Sequence, residues 1–228
     1  MLLLAFDTAT PAVTVALHDG DEVVAQSLAV DARRHGELLA PGIEQVLGDA
    51  GVRPGDLTDI AVGTGPGPFT GLRVGLVTAI SMASALGIRA HGLCTLDALA
   101  LRAVQEDAVV PEGDFLVATD ARRREVYWAA YEQRPDGSVG AVPQRVHGPA
   151  VSRPADVPVG GRPVVGRGAD LYPDHLGLSI GPIDPSAAAL AHLAVQLLDK
   201  GADLSDLTPR YLRRPDVHEG GPRKTVLS

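Results

Sequence analysis

Apolar and polar positions along the first hundred residues follow the pattern of a β-sheet with helices packed against it. Apolar runs of the kind that form strands cover residues 2–6, 13–17, 22–29, 60–63 and 88–93. Asp19-Gly20 follows the second run and predicts a hairpin turn into the third. Helical spacing of apolar positions predicts helices at residues 35–47, 71–86 and 96–104. Because strands and helices alternate, parallel pairing in an α/β fold is expected.

The opening of the chain recurs 113 positions later, where residues 3–7 align with residues 116–120. In both places an apolar strand ends on an aspartate, Asp7 or Asp120, and a polar turn leads to a second strand. The identical pairs are Leu3/Leu116, Ala5/Ala118, Asp7/Asp120, Val13/Val126 and Ala16/Ala129. Buried strands also resemble one another by chance, but the repeat favours two duplicated lobes, residues 1–107 and 108–228.

The second half is less regular than the first. Residues 135–163 are rich in Pro and Gly and are interpreted as loops with short strands, before an apolar pair at 164–165. The last helix has clear end signals: Asp184 as cap, Pro185 at the first helical position and Gly201 after the end. We expect this helix, at about residues 186–200, to pack back on the rest of the fold together with the tail.

Composition and net charge bear on nucleic-acid binding, disulfide formation and membrane contact. The 228 residues carry a formal charge of −8, which disfavours nonspecific capture of nucleic acid through its phosphates. Cys94 is the only cysteine, so the chain forms no internal disulfide, and a buried small side chain is expected there. The N-terminus has no basic lead or cleavage site, and residues 74–88 are too short for a bilayer helix, so no membrane contact and a cytoplasmic location are predicted.

A glycine-rich loop at residues 63–75 separates a predicted strand from a predicted helix. Loops of this kind can present backbone N–H groups to an anion, which makes Asp7, Gly65 and Gly67 the candidate cofactor-binding residues. The loop is not a Walker motif and misses the dinucleotide spacing by one residue. A tight turn without ligand is the alternative.

The loop Thr64-Gly65-Pro66-Gly67-Pro68-Phe69-Thr70-Gly71-Leu72-Arg73 resembles the signature Thr-Gly-Pro-Gly-Ser-Phe-Thr-Gly-Leu-Arg of the TsaB (YeaZ) family. The segments at residues 6–10, 33–41 and 209–213 resemble that family in the same order. The one departure in the loop is Pro68 in place of serine, which removes a hydroxyl and a backbone donor and weakens the case for phosphate binding.

The resemblance implies a two-lobed fold of the actin, sugar-kinase and chaperone-ATPase class (ASKHA, ribonuclease H-like), built from a duplicated βββαβαβα unit. It implies a non-catalytic subunit that activates a TsaD-like catalytic subunit for threonylcarbamoyl transfer to adenosine 37 of tRNA. A TsaE-like ATPase and tRNA, met through the complex, would be the further partners. No cofactor is expected, apart from a weakly held adenine nucleotide at the subunit contact, and the isolated chain is expected to form a homodimer.

The family also implies that the two helices at residues 34–47 and 71–86 form the subunit contact. In the second helix, small residues recur every four positions and form a smooth strip suited to close packing. Burial of this strip inside the lobe is the alternative. The predicted interface residues are Arg34, His35, Leu38, Leu39, Gly71, Leu72, Gly75, Leu76, Ala79 and Ala83.

Catalytic residues are not expected. No two of the seven histidines lie four apart, so a helical histidine pair for a metal is absent and no metal site is predicted. An active kinase-like ATPase using Asp7, with Asp120, is one alternative; turn capping by the two carboxylates is the other interpretation. A glycoprotease-like hydrolase is the third, but Ser179 in Gly177-Leu178-Ser179-Ile180-Gly181 lacks the strand and helix of a nucleophile elbow.

The basic clusters, Arg122 to Arg124 and the tail with Arg210, Arg213, Arg214, Arg223 and Lys224, are interpreted as solvated surface, with a minor RNA-facing role for the tail as the alternative.

Overall fold

The computed structural model describes residues 1–106, 108, 113–133 and 142–213, and these form two β-sheets with helices on and between them. The strands are β1 (Leu3–Asp7), β2 (Ala12–His18), β3 (Val23–Val30), β4 (Asp59–Gly63), β5 (Arg89–Leu93), β6 (Gly113–Asp120), β7 (Val126–Gln133), β8 (Gln144–Ser152) and β9 (Val164–Val165). The helices are α1 (His35–Asp49), α2 (Phe69–Leu86), α3 (Thr95–Gln105), α4 (Arg167–Leu171), α5 (Pro173–Leu176) and α6 (Ala187–Asp199).

The second sheet repeats the order of the first four strands of the first sheet, and among the described residues it has no strand that corresponds to β5. The first sheet is β3-β2-β1-β4-β5 and the second is β8-β7-β6-β9, with the first strand of each half in the interior. β1 pairs antiparallel with β2 and parallel with β4, and β6 repeats this with β7 and β9. The expected duplication is therefore present, with the parallel pairing that the alternation of strands and helices predicted.

A second internal repeat lies 100 positions apart. Residues 53–57, Arg-Pro-Gly-Asp-Leu, and residues 153–157, Arg-Pro-Ala-Asp-Val, each form a short 3₁₀ turn just before the parallel strand of their sheet. In both turns the aspartate N–H donates to the arginine carbonyl at 2.9 Å. The helix α1 that precedes the first turn has no counterpart before the second, because β8 leads directly into it.

The last helix of each half covers the sheet of the other half. Leu96, Leu99 and Ala100 of α3 pack against Phe115 and Tyr131 of the second sheet. Residues of α6 pack against the first sheet and α3, in a cluster formed by Leu3, Ala5, Ala16, Ala61, Leu93, Ala98, Leu101, Ala187, Leu190, Ala191, Leu193 and Ala194. The helix α3 contributes residues to both clusters and so links the two halves.

The start of α6 differs in detail from the sequence expectation. Ser186, not Asp184, is the N-cap, and its side chain accepts a 3.1 Å hydrogen bond from Ala188 N–H. Asp184 instead forms a two-point ion pair with Arg167 of α4, and its carbonyl accepts from Arg102 Nη1 at 2.9 Å. The carboxylate is used for tertiary binding because a guanidinium partner offers a stronger, charge-assisted contact than a helix end.

Candidate partner interface and the glycine-rich loop

The glycine-rich loop lies flush against the turn between β1 and β2. A Cβ at Gly63 would overlap the Asp7 carboxylate, and a Cβ at Gly67 would overlap the carbonyl of Ala9. Gly65 has a φ of +89°, a region that side-chain-bearing residues rarely adopt, and its N–H donates to Thr95 Oγ1 at 3.2 Å. The loop glycines therefore allow close backbone packing, and the Gly65 donor is used inside the protein.

Asp7 is fully buried beneath this loop, with 0% of its surface exposed. Its Oδ1 accepts a 2.6 Å hydrogen bond from Ala9 N–H, and its Oδ2 accepts one of 2.6 Å from Thr95 Oγ1. Burial raises the pKa of Asp7 from 3.8 to about 6, against the opposing effect of these hydrogen bonds. Both carboxylate oxygens accept hydrogen bonds, as the turn-capping interpretation expects, and cofactor binding by Asp7 stays a prediction.

Asp120 makes the corresponding turn in the second half. Its Oδ1 accepts from Arg122 N–H at 2.8 Å, two residues on, as Asp7 does from Ala9. The following arginines, Arg122 to Arg124, have φ values of 65°, 50° and 61°, so the turn is left-handed and projects the run outward. The predicted carboxylate pair is thus present as two equivalent turns.

The small-residue strip of α2 faces the protein's own sheet. Gly71, Leu72, Gly75, Leu76, Ala79 and Ala83 are all buried. Thr8 Oγ1 donates to Gly71 carbonyl at 2.7 Å and accepts from Gly75 N–H at 3.1 Å. A Cβ at Gly75 would lie 2.6 Å from Thr8 Oγ1. The strip lets α2 approach the β1–β2 turn, as the burial alternative expects, and its contact with a partner helix stays a prediction.

The predicted interface residues of α1 divide between interior and surface. His35 and Leu39 are buried, and His35 Nε2 lies 2.7 Å from the carbonyl oxygen of Thr10. Leu38 is half-buried and Arg34 is exposed, with its Nε 2.9 Å from Asp31 Oδ2. Only Arg34 and Leu38 of this group are presented to the outside.

The opposite face of α2 is open and apolar. Phe69, Val77 and Ile80 are 43%, 60% and 49% exposed. The Arg73 guanidinium lies 4.4 Å from the centre of the Phe69 ring, and the centre of the Tyr211 ring lies 5.0 Å from the same point. We call Phe69, Arg73, Val77, Ile80 and Tyr211 the open face. Sequence periodicity could not separate it from the strip, because both sides of α2 carry apolar or small residues.

The helix α2 begins two residues before its predicted start at Gly71. It has 18 residues and, by length and composition alone, is long and apolar enough to cross a membrane. Its inner side, from Gly71 to Ala83, is packed on the first sheet. The helix is therefore buried on one side, and its remaining apolar surface is the open face.

A segment after α6, residues 203–213, runs from one half to the other. The carbonyl of Leu204 accepts from Gly92 N–H at 2.8 Å, and Arg210 N–H donates to Thr64 carbonyl at 2.9 Å. Arg213 Nη1 then donates to Ala121 carbonyl at 3.1 Å. Arg210 and Arg213, predicted as basic surface, are thus used within the protein; Arg214, Arg223 and Lys224 lie outside the described residues.

Three further groups have defined surroundings. Ser179 Oγ lies 3.4 Å from the carbonyl oxygen of Gly166, and the chain continues without helix until Ala187. Burial raises the pKa of the Cys94 thiol to about 12, so it is held protonated. Among the described residues, no group of three or more His, Cys, Asp or Glu side chains is arranged to hold a metal ion.

Comparison with known proteins agrees with this architecture. The family model described as "TsaD: tRNA N6-adenosine threonylcarbamoyltransferase" matches residues 23–164. An uncharacterized protein of Mycobacterium tuberculosis (strain ATCC 25618 / H37Rv) is 45% identical over 221 residues, 94% of this chain and 93% of that protein. The tRNA threonylcarbamoyladenosine biosynthesis protein TsaB of Escherichia coli (strain K12) is 31% identical over 224 residues, 93% and 95% of the two chains.

The solved structure of YeaZ from Pseudomonas aeruginosa superimposes with a TM-score of 0.76 at 29% identity, covering 92% of this chain and all of that one. Two sheets that share a four-strand order, each covered by the last helix of the other half, define the two-lobed actin-like and sugar-kinase-like class. Within that class, the chain belongs to the TsaB (YeaZ) family.

Proposed function

We propose that this chain acts in the formation of N6-threonylcarbamoyladenosine in tRNA, as a non-catalytic subunit that binds and activates a TsaD-like catalytic subunit. The name of the Escherichia coli relative supports the pathway, and the match to the TsaD family supports kinship with the intended partner. A TsaE-like ATPase, tRNA bound through the complex and a cytoplasmic location complete the proposal. The charge of −8 fits indirect contact with tRNA.

The observation that carries the proposal is the open face of α2. At 100° per residue, Phe69, Arg73, Val77 and Ile80 fall within about 80° of arc, so they form one continuous stripe. Apolar side chains that are 43–60% exposed along one helix are unfavourably hydrated, and covering them with a partner lowers the free energy of the complex. Arg34, the residue before α1, and the half-buried Leu38 of α1 belong to the other group that the family resemblance assigns to the contact.

The geometry at Asp7 supports an accessory role over the ATPase alternative. A nucleotide-bound magnesium ion needs free carboxylate oxygens or a water that they orient. Both oxygens of Asp7 accept short hydrogen bonds from Ala9 and Thr95, and the glycine-rich loop covers the group. In this arrangement the loop supplies rigidity to the base of α2, and the weakly held nucleotide stays a proposal for the subunit contact alone.

Reconstitution tests the proposal. A TsaD-like subunit, a TsaE-like ATPase, tRNA and a threonylcarbamoyl donor are combined with and without this chain, and modified adenosine is measured. Val77→Asp and Ile80→Asp should weaken binding to the catalytic subunit at least about tenfold, because a buried carboxylate without a partner costs more than about 1.4 kcal/mol. Modification should fall in parallel.

Leu178→Asp is the matched control, because Leu178 is 81% exposed and belongs to the second half of the chain. All three variants should melt at the temperature of the wild type, since each changes an exposed side chain. Ser179→Ala should retain full activity. Modification that proceeds equally well without this chain, or intact binding of Val77→Asp, would refute the proposal.

A further inference from the structure

We propose that residues 203–213, which we call the strap, dock on the folded chain and detach from it as one unit, and that a partner on the open face of α2 stabilises the docked state. The strap follows α6 and contains neither helix nor strand. Detachment is a property of the isolated chain. Its control by a partner rests on the proposed function, which takes the open face as the surface for the catalytic subunit.

No residue of the strap is buried. Leu204 and Leu207 are half-buried and pack against the two apolar clusters of the first sheet, and Tyr211 is 38% exposed. The helix α6, which precedes the strap, has in contrast a buried face on that sheet. Because burial of apolar surface supplies most of the free energy of folding, a segment without buried side chains detaches at a much lower cost than global unfolding.

Among the described residues, backbone hydrogen bonds join the strap to the rest of the chain at two points. The carbonyl of Leu204 accepts from Gly92 N–H at 2.8 Å, and Arg210 N–H donates to the carbonyl of Thr64 at 2.9 Å. A Cβ at Gly92 would overlap the carbonyl of Asp206, so the missing side chain makes room for the strap on β5. The strap thus has a defined docking position that few backbone bonds maintain.

The middle of the strap loses little when it leaves the body. Ser205 N–H donates to Asp203 Oδ1 and Thr208 N–H donates to Asp206 Oδ1, both at 2.9 Å, and these local turns persist in a detached strap. Leu204 lines two hollows, of about 230 and about 260 Å³, between the strap and the body. Detachment therefore breaks fewer packing contacts than separation of closely packed elements would.

Tyr211 links the strap to the open face. Its ring centre lies 5.0 Å from that of Phe69, with 34° between the ring planes. Two residues further on, Arg213 Nη1 donates to the carbonyl of Ala121 in the second half. A partner that covers Phe69 gains contact area from Tyr211 only while the strap is docked. Such a partner binds the docked state more tightly and, by reciprocity, stabilises it.

Native-state hydrogen exchange of the full-length chain tests detachment. Thr64 supplies the internal comparison, because its N–H donates to the carbonyl of Leu93 at 2.7 Å while its carbonyl accepts from the strap. After correction for intrinsic rates, the amides of Gly92 and Arg210 should exchange at least about a hundredfold faster than that of Thr64. Their rates should rise little in low urea, since detachment exposes little surface. Equal protection of the three amides, with one urea dependence, would overturn the proposal.

Tyr211→Ala tests the link to Phe69. Loss of the ring contact should speed exchange of the Gly92 and Arg210 amides about two- to tenfold, the range expected for one aromatic pair. Ile183→Ala is the matched control, because Ile183 is also 38% exposed and lies outside the strap. It should leave both amides at the wild-type rates. Unchanged exchange in Tyr211→Ala would overturn the link between the strap and the open face.

The last experiment adds the catalytic subunit and separates this inference from the proposed function. At saturation the subunit should slow exchange of the Gly92 and Arg210 amides at least about tenfold. A bound subunit that leaves these rates unchanged, or raises them by displacing Tyr211, would overturn control of the strap by a partner. A subunit that does not bind would refute the proposed function, whereas the exchange pattern of the isolated chain would still decide whether the strap detaches.

Discussion

Thr95 Oγ1 donates a 2.6 Å hydrogen bond to Asp7 Oδ2 and accepts one of 3.2 Å from Gly65 N–H, so a single hydroxyl joins the end of β1 to the glycine-rich loop. Thr95 is the first residue of α3, the helix that covers the second sheet. The contact therefore couples a buried carboxylate, a backbone turn and the packing between halves.

The raised pKa of Asp7 predicts a distinct pH dependence of stability. The folded chain holds this proton up to about pH 6, whereas the unfolded chain releases it near 3.8. Stability from the neutral carboxyl is complete below about pH 4 and is lost as pH rises through 6, to a total of about 3 kcal/mol. Asp7→Asn should remove this decline in urea unfolding between pH 4 and 7. Asp120→Asn, at the equivalent turn, serves as control; an unchanged decline in Asp7→Asn would contradict the argument.

Gly75→Ala should destabilise the chain by about 1–3 kcal/mol, because its Cβ would lie 2.6 Å from Thr8 Oγ1 and disturb two hydrogen bonds. Gly48→Ala in α1 is the comparison, since a Cβ there meets nothing within 4 Å. It should gain up to about 1 kcal/mol from the lower backbone entropy of the unfolded chain. Thermal melting of both variants measures the difference; equal effects would show that α2 does not sit tightly on the turn.

His18 predicts loss of stability in acid. The ring is buried, its Nδ1 accepts from Gly20 N–H at 3.0 Å, and the His192 ring lies 4.9 Å away, edge to face. Burial first, and then His192, lower the pKa of His18, against the opposing effect of Asp19 and Asp21. The unfolded chain therefore binds the proton more readily, so stability present above pH 6.5 is lost as pH falls.

His18→Asn keeps an acceptor for Gly20 and cannot be protonated in this range. The wild type should thus lose more stability than His18→Asn between pH 7 and 5, as measured by chemical denaturation. Parallel curves for the two proteins would mean that the buried ring carries no such linkage.

Cys94 should react only when the protein opens. Its thiol is buried, and its pKa of about 12 leaves almost no thiolate at pH 8. Labelling by a thiol reagent should follow the rate or equilibrium of unfolding in increasing urea. Rapid, stoichiometric labelling of the native chain would contradict the buried position.

The strands could be predicted from the sequence where an apolar run is bounded by turn residues. The repeat of Asp7 and Asp120 located the first strand of each sheet. Ser186 was missed as the cap of α6 because Asp184, two residues earlier, has a similar capping propensity. The turn repeat at Arg53 and Arg153 is visible in the sequence and would have aligned the second half with the first. It also would have shown that the second copy lacks the first helix.

The site was harder to predict because α2 is apolar on two sides. Gly75 and Ala79 suggested a seam for a foreign helix, but small residues suit close packing on a sheet equally well. Which side turns inward depends on Thr8, whose hydroxyl bonds to α2 backbone groups 63 and 67 positions away. Such long-range hydrogen bonds leave no periodic trace in sequence.

The packing of α6 has a consequence for the order of folding. Ala187 N–H donates to Thr14 Oγ1, although the two residues are 173 positions apart in the sequence. Helix α6 packs against β1 and β2 of the first sheet. During synthesis the first sheet must wait, with one face uncovered, until nearly the whole chain has left the ribosome. The first half to be synthesised therefore depends on the second half for folding. A fragment ending near residue 107 lacks helix α6, which covers one face of its sheet.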